Sequence, residues 1–225
     1  MHLLDNPVWH ALTGPQQKLA EGSANASRYQ PDVAVFAAVP DDPSRSSWDE
    51  LRDLVGAGGV AVLFCEPPSL PADWERAFRL PALQMMGTGV ERATCGAATV
   101  LGVDDVDDML ALVDRTRPGP FERRTIELGD YLGVRDDDGV LIAMAGMRMH
   151  APGHVEISAV CTDERSRGRG LATALVRDLV GRIRDRAETP LLHVSEENVG
   201  AIRIYEGLGF ETRLRTEIIG ARAPK

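Results

Sequence analysis

Arg165, Arg167 and Arg169 crowd against Gly168 and Gly170 in one short stretch, with a strand-like run before it and a helix-like run after it. The first amides of a helix lack intrahelical partners and sit at the positive end of its dipole, and glycine lets an anion come up against them. The stretch from Arg165 to Ala172 is therefore a candidate phosphate cradle. Its main-chain amides from Arg167 to Leu171 would do the binding, while the three guanidinium groups either reach phosphate oxygens or stay solvated. The pattern is neither Gly-x-x-x-x-Gly-Lys-Ser/Thr nor the Gly-x-Gly-x-x-Gly of a dinucleotide site, and its arginines favour a ligand with several phosphates.

The surrounding sequence supplies the elements that hold this turn. Val155, Ile157 and Ala159 alternate with Glu156, Ser158 and Val160, which predicts a half-buried strand. Ala172, Leu175, Val176, Leu179, Val180 and Ile183 fall at helical spacing, with Arg177, Asp178 and Arg182 on the other side. Pro190 introduces a second short strand, Leu191 to Ser195. Asn198 then caps a helix whose inner face is Ala201, Ile204, Tyr205 and Leu208, Gly209 closes it, and Phe210 to Ile219 reads as a last strand. Upstream, Asp104 to Thr116 predicts a helix with Val106, Met109, Leu110 and Val113 inward, ended by Arg117-Pro118-Gly119-Pro120-Phe121. Strands at Ile126 to Arg135 and Val140 to His150 flank a hairpin turn, Asp136-Asp137-Asp138-Gly139, and Pro152-Gly153 turns the chain again. The expected topology is an antiparallel meander of three strands followed by a parallel crossover through the helix after the glycine turn.

Two segments together resemble the GNAT N-acyltransferases. Arg165-x-x-Gly168-x-Gly170 is similar to their acyl-CoA pyrophosphate signature, and Asn198-x-x-Ala201-x-x-x-Tyr205-x-x-x-Gly209-Phe210 is similar to their other characteristic segment. The resemblance covers residues 104–219 and is nearest to the branch with glycine N-acyltransferase-like proteins, in which a catalytic half follows a divergent one. It implies an α/β fold with a mixed, mostly antiparallel twisted sheet and flanking helices, preceded by a divergent α/β N-terminal half with the element order of a degenerate acyltransferase-like unit. The implied domains are 1–100 and 101–225, and the implied cosubstrate is acetyl-CoA. The resemblance further implies that the Val155 and Leu191 strands splay apart, so that the pantetheine arm lies between them and pairs with backbone around Val160 and Thr162.

Attack of an amine on a thioester needs an oxyanion donor, a proton acceptor and a proton source for sulfur. By resemblance the donor is a main-chain amide around Val160, and Tyr205 is the acid near the sulfur. A phenol with a reference pKa of about 10 is protonated at neutral pH; the alternative for Tyr205 is a half-buried packing residue. Glu156 is the candidate base at the cleft mouth, against an exposed strand glutamate. His193 could act directly or through water, or be a structural histidine. Glu196 and Glu197 read as helix-start charges that could also touch the acceptor. Cys161 offers a covalent route but lacks a partner histidine nearby in sequence, so a buried filler is the plainer reading. Asn198 serves as a cap and, by resemblance, as a contact to the cofactor arm. The resemblance also implies that the segment after the first helix, here Arg117 to Thr125 with Phe121 and Glu122, roofs the acceptor site. The expected activity is direct acetyl transfer to a primary amine of a small molecule or a protein; amino acids, polyamines, aminoglycosides and protein amines all remain open. The alternative is a catalytically weak acyl-CoA-binding or interaction module.

Composition bounds the rest. The chain has 225 residues and a net charge of −9, with 5% aromatics. Arg165 to Arg186 form a local basic cluster, but the acidic balance and sparse aromatics argue against a nucleic-acid partner. An acidic surface attracts basic, amine-bearing acceptors at long range. No apolar run is long enough to span a membrane, and Met1 to Gln16 lacks the features of a signal peptide, so a cytoplasmic enzyme without a membrane partner is expected. A homodimer is compatible with this reading. Cys65, Cys95 and Cys161 are too scattered for a disulfide framework or a metal site. In the first half, Val33 to Val39 and Gly59 to Cys65 read as strands and Trp48 to Val55 as a helix between them. Pro71 to Leu80 reads as a helix capped around Asp73, and Pro81 to Met86 as a third strand. Pro40 to Ser47 and Glu66-Pro67-Pro68-Ser69 read as loops, and Trp9, Trp48 and Trp74 as core anchors. The boundary is placed between Gly89 and Gly102.

Overall fold

The computed structural model describes residues 2–64 and 70–225. Cys65 and the Glu66–Ser69 loop lie outside the described residues. In chain order the elements are α1 (Pro7–Leu12), β1 (Ala20–Gly22), β2 (Ser27–Tyr29), β3 (Ala37–Ala38), α2 (Arg45–Val55), β4 (Val60–Leu63), β5 (Glu75–Met86) and β6 (Thr99–Leu101). They continue with α3 (Val106–Thr116), β7 (Tyr131–Arg135), β8 (Leu141–Ala151), β9 (His154–Thr162), α4 (Leu171–Asp185), β10 (Thr189–Ser195), α5 (Val199–Leu208) and β11 (Glu211–Arg222).

The helices start where local sequence provides for them. Ser44 accepts from the Ser47 amide at the start of α2, and Asn198 Oδ1 accepts from the Ala201 amide at 3.1 Å at the start of α5, each satisfying an orphan donor. Gly209 ends α5 in the left-handed conformation. On α4, Leu175, Val176, Leu179, Val180 and Ile183 are fully buried against Leu132, Ala145, Met147, Val155, Ile157, Leu192 and Val194 of the sheet. Asp178, expected on the outer side of α4, is buried too; it accepts from the Cys95 amide at 2.8 Å and from Arg182 Nε at 2.7 Å, pinning the loop before β6.

Eight strands form one mixed sheet in the order β4-β11-β5-β10-β9-β8-β7-β6, and β1-β2-β3 form a small second sheet. All neighbours in the large sheet are antiparallel except β9 and β10. The expected fold, a mostly antiparallel mixed sheet with flanking helices, is thus present. Helix α4 covers one face. On the other face Met109 and Leu112 of α3 pack on Tyr131, Leu141 and Met144, and the N-terminal elements cover the remainder through Val8, Tyr29, Phe36 and Phe64 around Met149. Trp48 and Trp74 anchor a further cluster with ring centroids 5.2 Å apart, and Trp9 packs at the edge of the N-terminal one.

Three local expectations are corrected. The helix predicted over Pro71 to Leu80 is absent, because from Glu75 onward the chain joins β5, which pairs with β11 along its length and with β10 over Ala82 to Met86. Strand pairing on both edges overrides the local spacing. The strand predicted over Val33 to Val39 shortens to Ala37–Ala38 plus one bridge from Phe36 to Val62. Ile126 to Leu128 form a 3-10 turn, and the strand begins only at Tyr131. Residue 100 lies within β6, and strands from both sides of it share the one large sheet.

Tyr131 and Gly146 are register partners, and the fully buried Tyr131 ring lies across the glycine, so that an added Cβ would meet it at 2.1 Å. Gly146→Ala should therefore cost roughly 1–3 kcal/mol by overpacking, read as a lowered Tm; an unchanged melting curve would show that the ring can move aside.

Candidate active site

Strands β9 and β10 pair at only three positions, His154 with Thr189, Val155 with Pro190 and Glu156 with Leu191. Beyond them β9 runs on to Thr162 and β10 to Ser195 without pairing to each other, and β10 stays in the sheet because β5 holds its other edge from Leu191 to Ser195. The implied splay is therefore real. A cavity of about 810 Å³ occupies it, reaching from the Arg167–Thr173 turn to Arg148 and His193.

One end of the cavity is the glycine-arginine turn. Gly168 (φ 77°) and Gly170 (φ 74°) are left-handed, and a Cβ on either would meet nothing within 4 Å. Glycine is needed there for its backbone, and the space above it is open. No side chain caps α4, so its first amides have no capping partner and face the open space above the turn. The cradle is shorter than expected at its start: the Arg165 amide donates to Asp163 Oδ1 at 3.2 Å, and the Arg167 amide to the Glu164 carbonyl at 3.3 Å. Among the predicted residues, Arg167, Gly168, Arg169, Gly170, Leu171 and Ala172 line the cavity and Arg165 does not. These residues fit a pyrophosphate.

The middle is formed by β9 and α5. Ser158 pairs with Gly146 and Cys161 with Met144, so Ala159 and Val160 together face Ala145 in a bulge. Ala159 takes φ 52°, strained for a residue with a side chain. Bulges of this kind re-aim main-chain groups, and both residues line the cavity with Thr162. The Thr162 hydroxyl is buried with no hydrogen-bond partner among the described residues. Asn198 and Tyr205 form the facing wall. Tyr205 packs edge-on to Phe210 at 5.7 Å, and burial pushes its pKa up to about 12, so it remains a proton donor at neutral pH. Ile204, expected inward, is 47% exposed at the rim. Burial raises the pKa of the Cys161 thiol, which disfavours a thiolate nucleophile. Phe121 turns into the core against Tyr131 at 5.6 Å, and Thr116 to Pro120 roof the cavity in its place.

Glu156 is not at the cleft mouth. It is 0% exposed, takes Arg148 Nε at 2.8 Å and Nη2 at 2.6 Å, and faces His193 Nδ1 at 2.8 Å. Burial alone would raise its pKa, but the Arg148 charge and these hydrogen bonds hold it down to about 2. Gln84 fixes the imidazole from the other side. Its Nε2 lies 2.8 Å from the Leu4 carbonyl and 3.0 Å from His193 Nε2, while its Oε1 accepts from Arg213, which also donates to Asp5 at 2.6 Å. With Gln84 donating, His193 carries its proton on Nδ1 and directs it to Glu156. Glu196 accepts from Arg215 at 2.9 Å, a surface pair at the helix start. Sequence reasoning missed Arg148, Gln84 and Arg213. The available signal was Arg148 itself, the one full-time cation in the otherwise apolar run Leu141–Ala151, which has to find a counter-charge when buried.

Known proteins share the fold. The family model for FR47-like proteins matches residues 131–219. A crystal structure from Novosphingobium aromaticivorans DSM 12444, assigned to the GNAT family as an acetyltransferase, superposes with a TM-score of 0.90 at 37% identity over 100% of both chains. A GCN5-related N-acetyltransferase from Kribbella flavida shares the fold, with a TM-score of 0.67 at 18% identity over 99% of this chain and 95% of that one. The mycothiol acetyltransferases of Mycobacterium ulcerans and Mycobacterium marinum are each 38% identical over 69 residues, 27% of this chain. That match spans only 22% of their length.

The depressed carboxylate sets an acid limit. Glu156 has its ordinary pKa near 4.5 when unfolded and about 2 when folded, so its contribution is complete above the first value and is lost as pH falls toward the second. Urea titrations of the native protein should show stability dropping through this window. Glu156→Gln should flatten that part of the profile while lowering stability at pH 7 by roughly 3–5 kcal/mol, the cost of leaving Arg148 without its counter-ion; parallel profiles would contradict the assignment.

Proposed function

The chain belongs to the GNAT family of acetyltransferases, and on that premise we propose that it transfers an acetyl group from acetyl-CoA to a primary amine by direct attack. The observation that carries this reading is the uncapped start of α4 behind two left-handed glycines, opening into the gap between β9 and β10. In this reading the amides from Gly168 to Ala172 hold the pyrophosphate, with Arg165, Arg167 and Arg169 adding charge at the surface. The arm lies along Val160 and Thr162, with Asn198 opposite, and the bulge amides at Ala159 and Val160 receive the developing oxyanion. The donor supplies an activated acyl group, and Tyr205 returns a proton to the departing sulfur.

Glu156 enters as a positioning residue rather than as the proton acceptor. A carboxylate held at about 2 with its oxygens engaged by Arg148 and His193 is a weak base, and His193 has both nitrogens committed. The amine therefore loses its proton to water in the cavity. The two parts, 1–100 and 101–225, divide the labour: the second holds the donor and the first covers the face from which the acceptor arrives. The kinship with glycine N-acyltransferase-like proteins and a cytoplasmic setting belong to this same reading. Among the described residues no helix is long and apolar enough to cross a membrane.

Calorimetry with coenzyme A should give binding, and Gly170→Val should weaken it at least tenfold by forbidding the left-handed turn; unchanged affinity would remove the cradle. Tyr205→Phe should retain acetyl-CoA affinity and lower kcat by about a hundredfold, followed as thiol release with an amine panel. Wild-type turnover with no amine, despite coenzyme A binding, would leave only an acyl-CoA-binding module.

A further inference from the structure

We infer that the acceptor amine also carries an anionic group, a carboxylate or a phosphate, and that Arg148 reads it. This rests on the acetyl-transfer reading above and narrows its substrate.

The two faces of the sheet separate donor from acceptor. Val155, Ile157, Leu192 and Val194 point toward α4 and belong to its core. Glu156 alternates with Val155 and Ile157, and His193 with Leu192 and Val194, so both point to the opposite face, where Arg148 meets them. The cavity touches both sides, since it is lined by the Gly168–Gly170 turn and by Arg148 and His193. A donor seated on the α4 side thus presents its acyl group through the gap to an acceptor on the Arg148 side.

That side is apolar, with the Arg148 guanidinium reaching it. Leu80, Ala82 and Ile218 line it, and the Arg148 guanidinium stacks under Phe36 and Phe64, 4.9 and 5.2 Å from their centroids. Nε and Nη2 are spent on Glu156, which outweighs burial to keep the guanidinium charged. The side chain nevertheless keeps 11% exposure and lines the cavity, and no hydrogen bond engages Nη1 among the described residues. A guanidinium fixed by two bonds with its third nitrogen free is a pre-oriented donor for an anion. No carboxylate side chain is among the described lining residues; Arg167 and Arg169 stand at the donor end, which leaves Arg117 and Arg148 for the acceptor, although the chain as a whole carries −9. The preference for basic acceptors expected from overall charge is therefore reversed at the site. A polyamine or an aminoglycoside would bring several cations to a surface whose one nearby carboxylate, Glu156, is already engaged by Arg148 and His193, whereas an anionic amine pairs with the free Arg148 Nη1 and leaves its nitrogen free to attack.

The test is thiol release from acetyl-CoA with matched amines: glycine against glycinamide, phenylalanine against phenethylamine, 4-aminobutyrate against butylamine, phosphoethanolamine against ethanolamine, with spermidine and kanamycin as polycations. In at least one pair the anionic member should exceed its neutral partner tenfold or more in kcat/KM, and the productive pair tells carboxylate from phosphate. For that amine, Arg148→Met combined with Glu156→Gln, which leaves no buried charge unpaired, should raise acceptor KM at least tenfold with acetyl-CoA affinity unchanged. Preference for neutral amines or polycations would overturn the inference while acetyl transfer stands. Coenzyme A binding with no turnover on any amine would overturn both.

Discussion

The structure turns on how β10 is held. One edge is paired with β5 over five residues, and the other is released by β9 after three. A sheet would ordinarily close such a gap, because unpaired backbone groups inside a fold are costly. Here the gap persists because β5 fixes β10 from outside and because β9 bends at the Ala159–Val160 bulge. The unpaired groups face a cavity rather than protein. The same opening joins the α4 N-terminus to the far side of the sheet, so one departure from regular pairing creates both a slot and a passage.

The polar cluster beside the gap is the other commitment. Arg148, Glu156 and His193 sit where a hydrophobic trio would be easier to bury, since desolvating an ion pair offsets much of its attraction. They are tolerated because nearly every donor and acceptor is matched, through Gln84 to Leu4, Arg213 and Asp5. The network joins the first residues of the chain to β5, β8, β9, β10 and β11. It fixes the Arg148 guanidinium and the His193 ring, and so gives that end of the cavity a defined shape.

The legible part of the sequence was local. The glycine-arginine turn, the Asn198 cap, the Gly209 stop and the hairpins around Asp136 and Pro152 are each decided by residues within a few positions of one another, and they appear where their chemistry put them. Glu156 was correctly aimed away from Val155 and Ile157, but its partner Arg148 lies on a neighbouring strand across a second register irregularity between Met147 and His150, which no period-two pattern can reveal. Phe121 was placed in the roof by resemblance, and its edge-on contact with Tyr131, ten residues on, holds it in the core instead. The strand β5 was hidden in its first half because its pairing partners all lie far downstream.

That last fact bears on how the chain is made. Leu83 pairs with Val194 on one side and Arg215 on the other, so a strand that leaves the ribosome early lies idle until nearly all of the sequence has followed it. The β6–β9 meander pairs in chain order, whereas β5 waits for partners that lie more than 100 residues downstream. Closing β5 between β10 and β11 is a high-separation pairing, of the kind that folds slowly.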